Sequence, residues 1–222
     1  MQHFEQELAA LKEKLLTMAS KATDAVDKAV KSLVARDDDL ARAVQHEDDE
    51  LDQLEIEIDE IAIGLLSKAP LASDLRFITA AMKISHDLER VGDEATKIAR
   101  RSIELSQEPQ LKPYVDIPRM TRMGAEMMGD ALDAFVRRNP EKARAVIPRD
   151  KEVDALNRQL HRELASYMIE RPATISRCLN LMVISKSLER IADHATNVAE
   201  EVVYLYEAKD IRHTGKGQNP ET

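Results

Sequence analysis

The chain contains the same passage twice. Leu88-Glu89-Arg90-Val91-Gly92-Asp93 returns one hundred positions later as Leu188-Glu189-Arg190-Ile191-Ala192-Asp193, within a longer match between 84–99 and 184–199. Upstream the offset is 102: Ala41 to Val44 reappears as Ala143 to Val146, and Asp48, Glu50, Asp52 and Leu54 as Asp150, Glu152, Asp154 and Leu156. Met18 matches Met120, Ala29 matches Ala131 and Arg36 matches Arg138. The two-residue change falls after Pro70 and Pro172, which places it in a loop. A unit of roughly a hundred residues is domain-sized rather than a solenoid repeat, so the chain reads as a tandem duplication of one small fold.

The residues between the repeated motifs have the period of helices. Phe4, Leu8, Leu11, Leu15, Met18, Ala22, Val26, Ala29 and Leu33 recur every three or four positions and predict a first helix ending near Arg36. Leu40, Val44, Leu51, Leu54, Ile58, Ile61 and Leu65 form a heptad-like seam, interrupted by Glu47 and ended by Pro70. A third helix is expected from about Ser73 to Glu104, with two adjacent apolar seams, Leu75, Ile78 and Met82 beside Ile84, Leu88, Val91, Ala95 and Ile98. A double-width apolar face contacts two neighbours, as in a three-helix bundle. Asn139 and Pro140 predict a capped start for the fifth helix, Pro148 a kink or late start just before Asp150, and Arg171 to Thr174 the opening of a sixth that ends near Ile211.

The fold class is therefore all-α: tandem duplicated three-helix bundles, six long antiparallel helices in all. The expected organisation is a first bundle over 1–106, a Pro-rich linker over 107–118 carrying Pro109, Pro113 and Pro118, a second bundle over 119–212, and a disordered tail over 213–222. With three Phe, four Tyr and no Trp, both cores are aliphatic.

Charge narrows the function. A formal net charge of −9 argues against nucleic acid as a partner. The single cysteine, Cys178, has no intrachain partner and reads as a buried structural thiol. No signal peptide or membrane span is apparent, so a soluble cytoplasmic protein is expected. Met120, Met123, Met127 and Met128 sit at helical spacing and read as core, and Gly215-Lys216-Gly217 lacks the spacing of a phosphate loop.

What a common fold does not require is a repeated set of carboxylates. Glu89 and Asp93 stand four apart on one helix face, and Asp48 and Asp52 do the same on the preceding helix. Asp52 lies 18 residues before Pro70 and Glu89 lies 19 after it, so in an antiparallel hairpin the two pairs face each other. Asp150, Asp154, Glu189 and Asp193 repeat the arrangement. Such oxygen-rich sets suit Mg²⁺, Mn²⁺, Ca²⁺ or iron. The plainer reading keeps them as solvated acids, with Arg90 and Arg190 pairing across the hairpins. His194 is either an added ligand or a surface histidine, since Glu94 holds the matching place. The chain contains no Glu-x-x-His, which weakens a di-iron enzyme reading.

The double Leu-Glu-Arg-Ile/Val-x-Asp motif, with the flanking run from Asp74 to Asp93 and from Ser187 to Val202, resembles the PhoU family over nearly the whole chain. The resemblance implies two three-helix bundles and a cytoplasmic, non-enzymatic adaptor, often a homodimer. Its implied partners are the ATPase of the phosphate ABC transporter and the sensor histidine kinase of the phosphate response, and its implied effect is restraint of the phosphate-starvation response. It also implies metal clusters on paired acidic motifs, here Asp48, Asp52, Glu89, Asp93, Asp150, Asp154, Glu189 and Asp193, holding a divalent or trivalent ion such as iron, manganese, magnesium or zinc. Ala192 in place of Gly92, and Pro148 beside Asp150, set the second motif apart from the first. The alternative reading is a carboxylate-metal storage protein, hydrolase or oxidase built on a helical bundle.

Overall fold

The computed structural model describes residues 2–68 and 71–211. The expected break at Pro70, the tail over 213–222 and the Gly215 segment lie outside the described residues. Among them the regular structure is helical, with no strand: α1 (Gln2–Ala35), α2 (Asp38–Leu66), α3 (Ala72–Ser106), α4 (Asp116–Arg137), α5 (Pro140–Val146), α6 (Asp150–Glu170) and α7 (Ile175–Glu207). Short 3₁₀ turns occupy Ile147–Arg149 and Pro172–Thr174.

The first bundle is α1 to α3, and the second is α4, the α5/α6 pair and α7. In α1 the apolar stripe from Leu11 through Leu15, Met18, Ala22, Val26 and Ala29 to Leu33 is buried, and in α2 Val44, Leu51, Ile58 and Leu65 meet it. Where Glu47 interrupts that seam it pairs with Lys28 at 2.8 Å instead of entering the core. In α4 the side chains of Met120, Met127 and Met128 are buried with Met123 packed against them, and the Cys178 thiol of α7 is buried 3.7 Å from the Thr174 hydroxyl.

The repeat extends to the turns. Arg36 and Arg138 both adopt the left-handed conformation, with φ of 56° and 55°, just past the first helix of each unit. The next amide then reaches back, Asp37 N to Ser32 O and Asn139 N to Ala134 O, each at 2.9 Å. These bonds satisfy carbonyls that a helix end leaves open. The following residue caps the next helix: Asp37 accepts from Leu40 N at 2.9 Å and Asn139 from Lys142 N at 3.0 Å.

Three boundaries depart from expectation. The fifth helix is split into α5 and α6, because Pro148 has no N–H to donate to a carbonyl of the preceding turn and the chain passes through a 3₁₀ turn there. α4 begins at Asp116, so Pro118 lies in its first turn, where an N–H has no intrahelical partner to lose. α7 ends at Glu207, short of Ile211, as Ala208 turns left-handed at φ 54°. Leu75, placed on an apolar seam by its spacing, is 42% exposed near the start of α3.

The bundles join through α3 and α7. Lys83 pairs with Glu201 at 3.0 Å, Asp87 with His194 at 2.8 Å and Glu94 with Arg190 at 3.3 Å, so position falls along α7 as it rises along α3 and the two helices run antiparallel. In the repeat Asp87 corresponds to Ser187 and Glu94 to His194. The Asp87–His194 contact is therefore mirrored by Ser187 beside Glu94, whose carboxyl it helps hold down. A local pseudo-twofold axis follows from these pairs.

Candidate functional site

In each unit the acidic side chains expected from the sequence are brought together on the second and third helices. In the first, Asp48 and Asp52 of α2 approach Glu89 and Asp93 of α3. Burial, and then the neighbouring Asp52, Asp93 and Asp49 charges, raise the Asp48 carboxyl above its ordinary range, against the pull of the nearby Thr96 hydroxyl. Asp52 is raised by burial and by Asp93, and Glu89 by burial and by Asp93, in part offset by Arg90. Like charges this close disfavour joint ionisation unless a cation joins them.

Gly92 makes that approach close. A Cβ there would lie 2.4 Å from Leu51 Cδ1 and 3.1 Å from Asp48 Oδ1. A side chain at position 92 would therefore require the Leu51 side chain to move.

In the second unit Asp150 stands against Asp193, and burial, then neighbouring carboxylate charge, raises both carboxyls. Burial of the carboxyl, then the charges of Glu189 and Asp150, push Asp193 up to about 6, although the residue as a whole is exposed. Asp154 contributes to the same crowding.

The two sets differ in their cations. Lys186 forms an ion pair with Glu189 and lowers the carboxyls of Asp150 and Asp193, so the second set has an ammonium beside it. In the first set Arg90 turns along its own helix, 3.1 Å from Asp93 and 3.5 Å from Glu89. Neither arginine pairs across its own hairpin: Arg190 crosses to Glu94 of the other bundle. Glu89 Oε2 and Asp150 Oδ1 are buried and accept no hydrogen bond among the described residues, whereas the buried Glu189 Oε2 faces the Lys186 ammonium. Carboxylate oxygens with unfilled acceptor capacity suit a hard or borderline cation, but among the described residues no three of these eight bring ligand atoms within 4.8 Å of one another.

His194 is neither a free surface histidine nor beside the acids as a ligand. Its Nδ1 meets Asp87 at the α3/α7 contact, where Asn197 also donates to Asp87 at 3.0 Å. One group escaped the sequence reading. Glu55 of α2 lies 3.1 Å from His86 Nδ1, and both are next to Glu89. The available signal was His86 three residues before Glu89, the reverse of a Glu-x-x-His order.

Comparison with known proteins agrees with the geometry. The PhoU domain model matches residues 15–102 and 117–202, one match for each bundle. The phosphate-specific transport system accessory protein PhoU homolog of Pseudomonas aeruginosa is 42% identical over 216 residues, covering 96% of this chain and 89% of that protein. The homolog of Aquifex aeolicus is 42% identical over 208 residues, covering 93% and 94%. The crystal structure of PhoU from Pseudomonas aeruginosa superposes with a TM-score of 0.89 at 41% identity, covering 93% of this chain and 100% of that one. That of the phosphate transport system regulatory protein PhoU from Streptococcus pneumoniae gives 0.88 at 28% identity, covering 94% and 99%. Two matched domains, near-complete coverage and a shared fold together establish that the chain belongs to the PhoU family.

Proposed function

We propose that the protein is a cytoplasmic adaptor that restrains the phosphate-starvation response, linking the ATPase of a phosphate ABC transporter to a sensor histidine kinase without turnover of its own. The observation that carries this reading is the family match over both bundles, with relatives named as accessory proteins of phosphate-specific transport. The fold is consistent with it. No described helix is long and apolar enough to cross a membrane. The elongated helices offer two related halves, suited to two partners at once or to a homodimer.

The eight carboxylates are the proposed metal ligands: Asp48, Asp52, Glu89 and Asp93 in one half, Asp150, Asp154, Glu189 and Asp193 in the other. Burial, and less strongly the neighbouring carboxylates, raise Asp48, Asp52 and Glu89, and a bound cation would offset both, which supports this reading.

Deleting the gene from its host tests the adaptor reading. Phosphate-responsive genes are expected to stay on in phosphate-rich medium and to be silenced again by the restored gene. Unchanged repression in the deletion strain would reject it.

A further inference from the structure

We propose that Glu55, His86 and Glu89 form a binding site for a first-row divalent transition metal, present once per chain. Each residue offers one ligand atom, and the three atoms lie within 4.8 Å of one another. Around an ion with bonds of about 2.0–2.2 Å, ligand atoms stand roughly 3.3 Å apart when tetrahedral, so modest side-chain rotations close the site. His86 and Glu89 are three apart on α3 and share a face, and Glu55 approaches from α2.

The donor set decides the class of ion. Two carboxylates alone suit Mg²⁺ or Ca²⁺, whereas an added imidazole favours zinc, iron, cobalt or nickel. Two further observations point to a ligand. Glu89 Oε2 is buried and accepts no hydrogen bond among the described residues, its nearest cation being Arg90 Nε at 3.5 Å. The site also opens on a groove of about 530 Å³ between α2, α3 and α7, to which Glu55, His86, Asp59 and Glu200 contribute. The groove leaves room for water on the metal and gives an acidic entry path for a cation.

The second unit lacks this site. Asn157 stands where the repeat has Glu55, and it is bonded to Ser185. Lys186 stands where the repeat has His86, and its ammonium is paired with Glu189. The proposal is separate from the eight-carboxylate reading, with which it shares only Glu89. It does not need Asp48, Asp52 or Asp93.

The test is titration of full-length, chelator-treated protein with Zn²⁺ by calorimetry, and with Co²⁺ by visible absorption, comparing wild type, His86→Ala, Glu55→Gln and the Asp48→Asn/Asp93→Asn pair. Imidazole NMR signals during the Zn²⁺ titration give a readout at the histidine itself. His86 is exposed on its helix, so its truncation leaves the fold intact by circular dichroism.

The expected result is a Zn²⁺ ion whose binding shifts the His86 resonances, with an affinity that falls at least tenfold in His86→Ala and in Glu55→Gln. Equal Zn²⁺ stoichiometry and affinity in wild type and His86→Ala would overturn the proposal. So would a wild type that binds no Zn²⁺. Loss of the ion in the Asp48/Asp93 pair with His86→Ala unaffected would also overturn it, and would assign the ion to the carboxylate set.

Discussion

Gly92 and Leu51 share a space that holds only one of two side chains: a Cβ at 92 would come within 2.4 Å of Leu51 Cδ1. The second unit has Ala192 and Val153 at the matching positions, a methyl gained on one helix and a carbon lost from the other. Gly92→Ala gains about 1 kcal/mol of helix propensity. It also overpacks a buried contact at a cost of about 1–3 kcal/mol. A net loss near 1 kcal/mol is expected, a fall of about 2–4 °C in Tm for a chain this size. Adding Leu51→Val should recover most of it. Thermal unfolding of the two single variants and the double variant checks this, with a coupling energy of at least 0.5 kcal/mol expected for touching residues.

The Glu89→Ala/Glu189→Ala double variant tests the proposed ligand set. Protein purified without chelator or affinity-tag metal is expected to carry stoichiometric metal by elemental analysis, and the variant to have lost most of it. A metal that binds only the native state stabilises it, so chelation should lower the Tm of the wild type and leave that of the variant unchanged.

Glu94 sets an acid limit on the contact between the bundles. Burial acts to raise its carboxyl, but hydrogen bonds from Ser187, Lys97 and Arg190 outweigh burial and hold it below the ordinary 4.5. A depressed carboxyl contributes stability that is fully present above the unfolded value and is lost as pH falls through the folded one. Glu94→Gln is expected to cost about 1–2 kcal/mol at pH 7, the low end for a charged hydrogen bond because Lys97 and Arg190 are half exposed. It should also flatten the fall in stability below pH 4.5. Denaturant unfolding at a series of pH values reads both effects.

Asp193 has the opposite sign. In metal-free protein its carboxyl is pushed up to about 6 from 3.8, so between these values the native state keeps a proton that the unfolded chain has released. Its contribution to stability therefore falls as pH rises from about 4 to 6 and is constant above. Asp193→Asn should remove that slope and raise the stability of chelator-treated protein at pH 7, measured by the same unfolding series.

Arg138 holds a left-handed backbone conformation that is strained for a residue with a Cβ, at the place where helices most often use glycine. Arg138→Gly is expected to stabilise the protein by about 0.5–1 kcal/mol in chemical denaturation. Arg36, its counterpart, is tethered to the Ser106 and Glu108 carbonyls at 2.5 and 2.7 Å, so Arg36→Gly should instead be neutral or destabilising.

Much of this molecule was legible because the duplication marks what both halves need. The helices, the Asn139 cap and the pairing of Asp48/Asp52 with Glu89/Asp93 followed from apolar spacing and from i, i+4 geometry, which are local. The α3/α7 contact was not legible. It joins Asp87 to His194 and Glu94 to Ser187, residues that differ between the repeats, so comparing the halves position by position conceals that they touch. Glu55 and His86 were passed over for the same reason, since Asn157 and Lys186 replace them. Pro148 was seen to disturb its helix, but whether a proline bends a helix or splits it depends on packing from outside the segment.

The pseudo-twofold contact between α3 and α7 makes the chain a dimer written as one polypeptide. In an assembly of identical subunits any substitution appears on both sides of the axis, and its cost or benefit is doubled. Covalent fusion lifts that constraint. One half can keep a histidine at position 86 while the other carries a lysine at 186 that neutralises its acids from within. The two halves thereby share one interface without having to carry the same side chains.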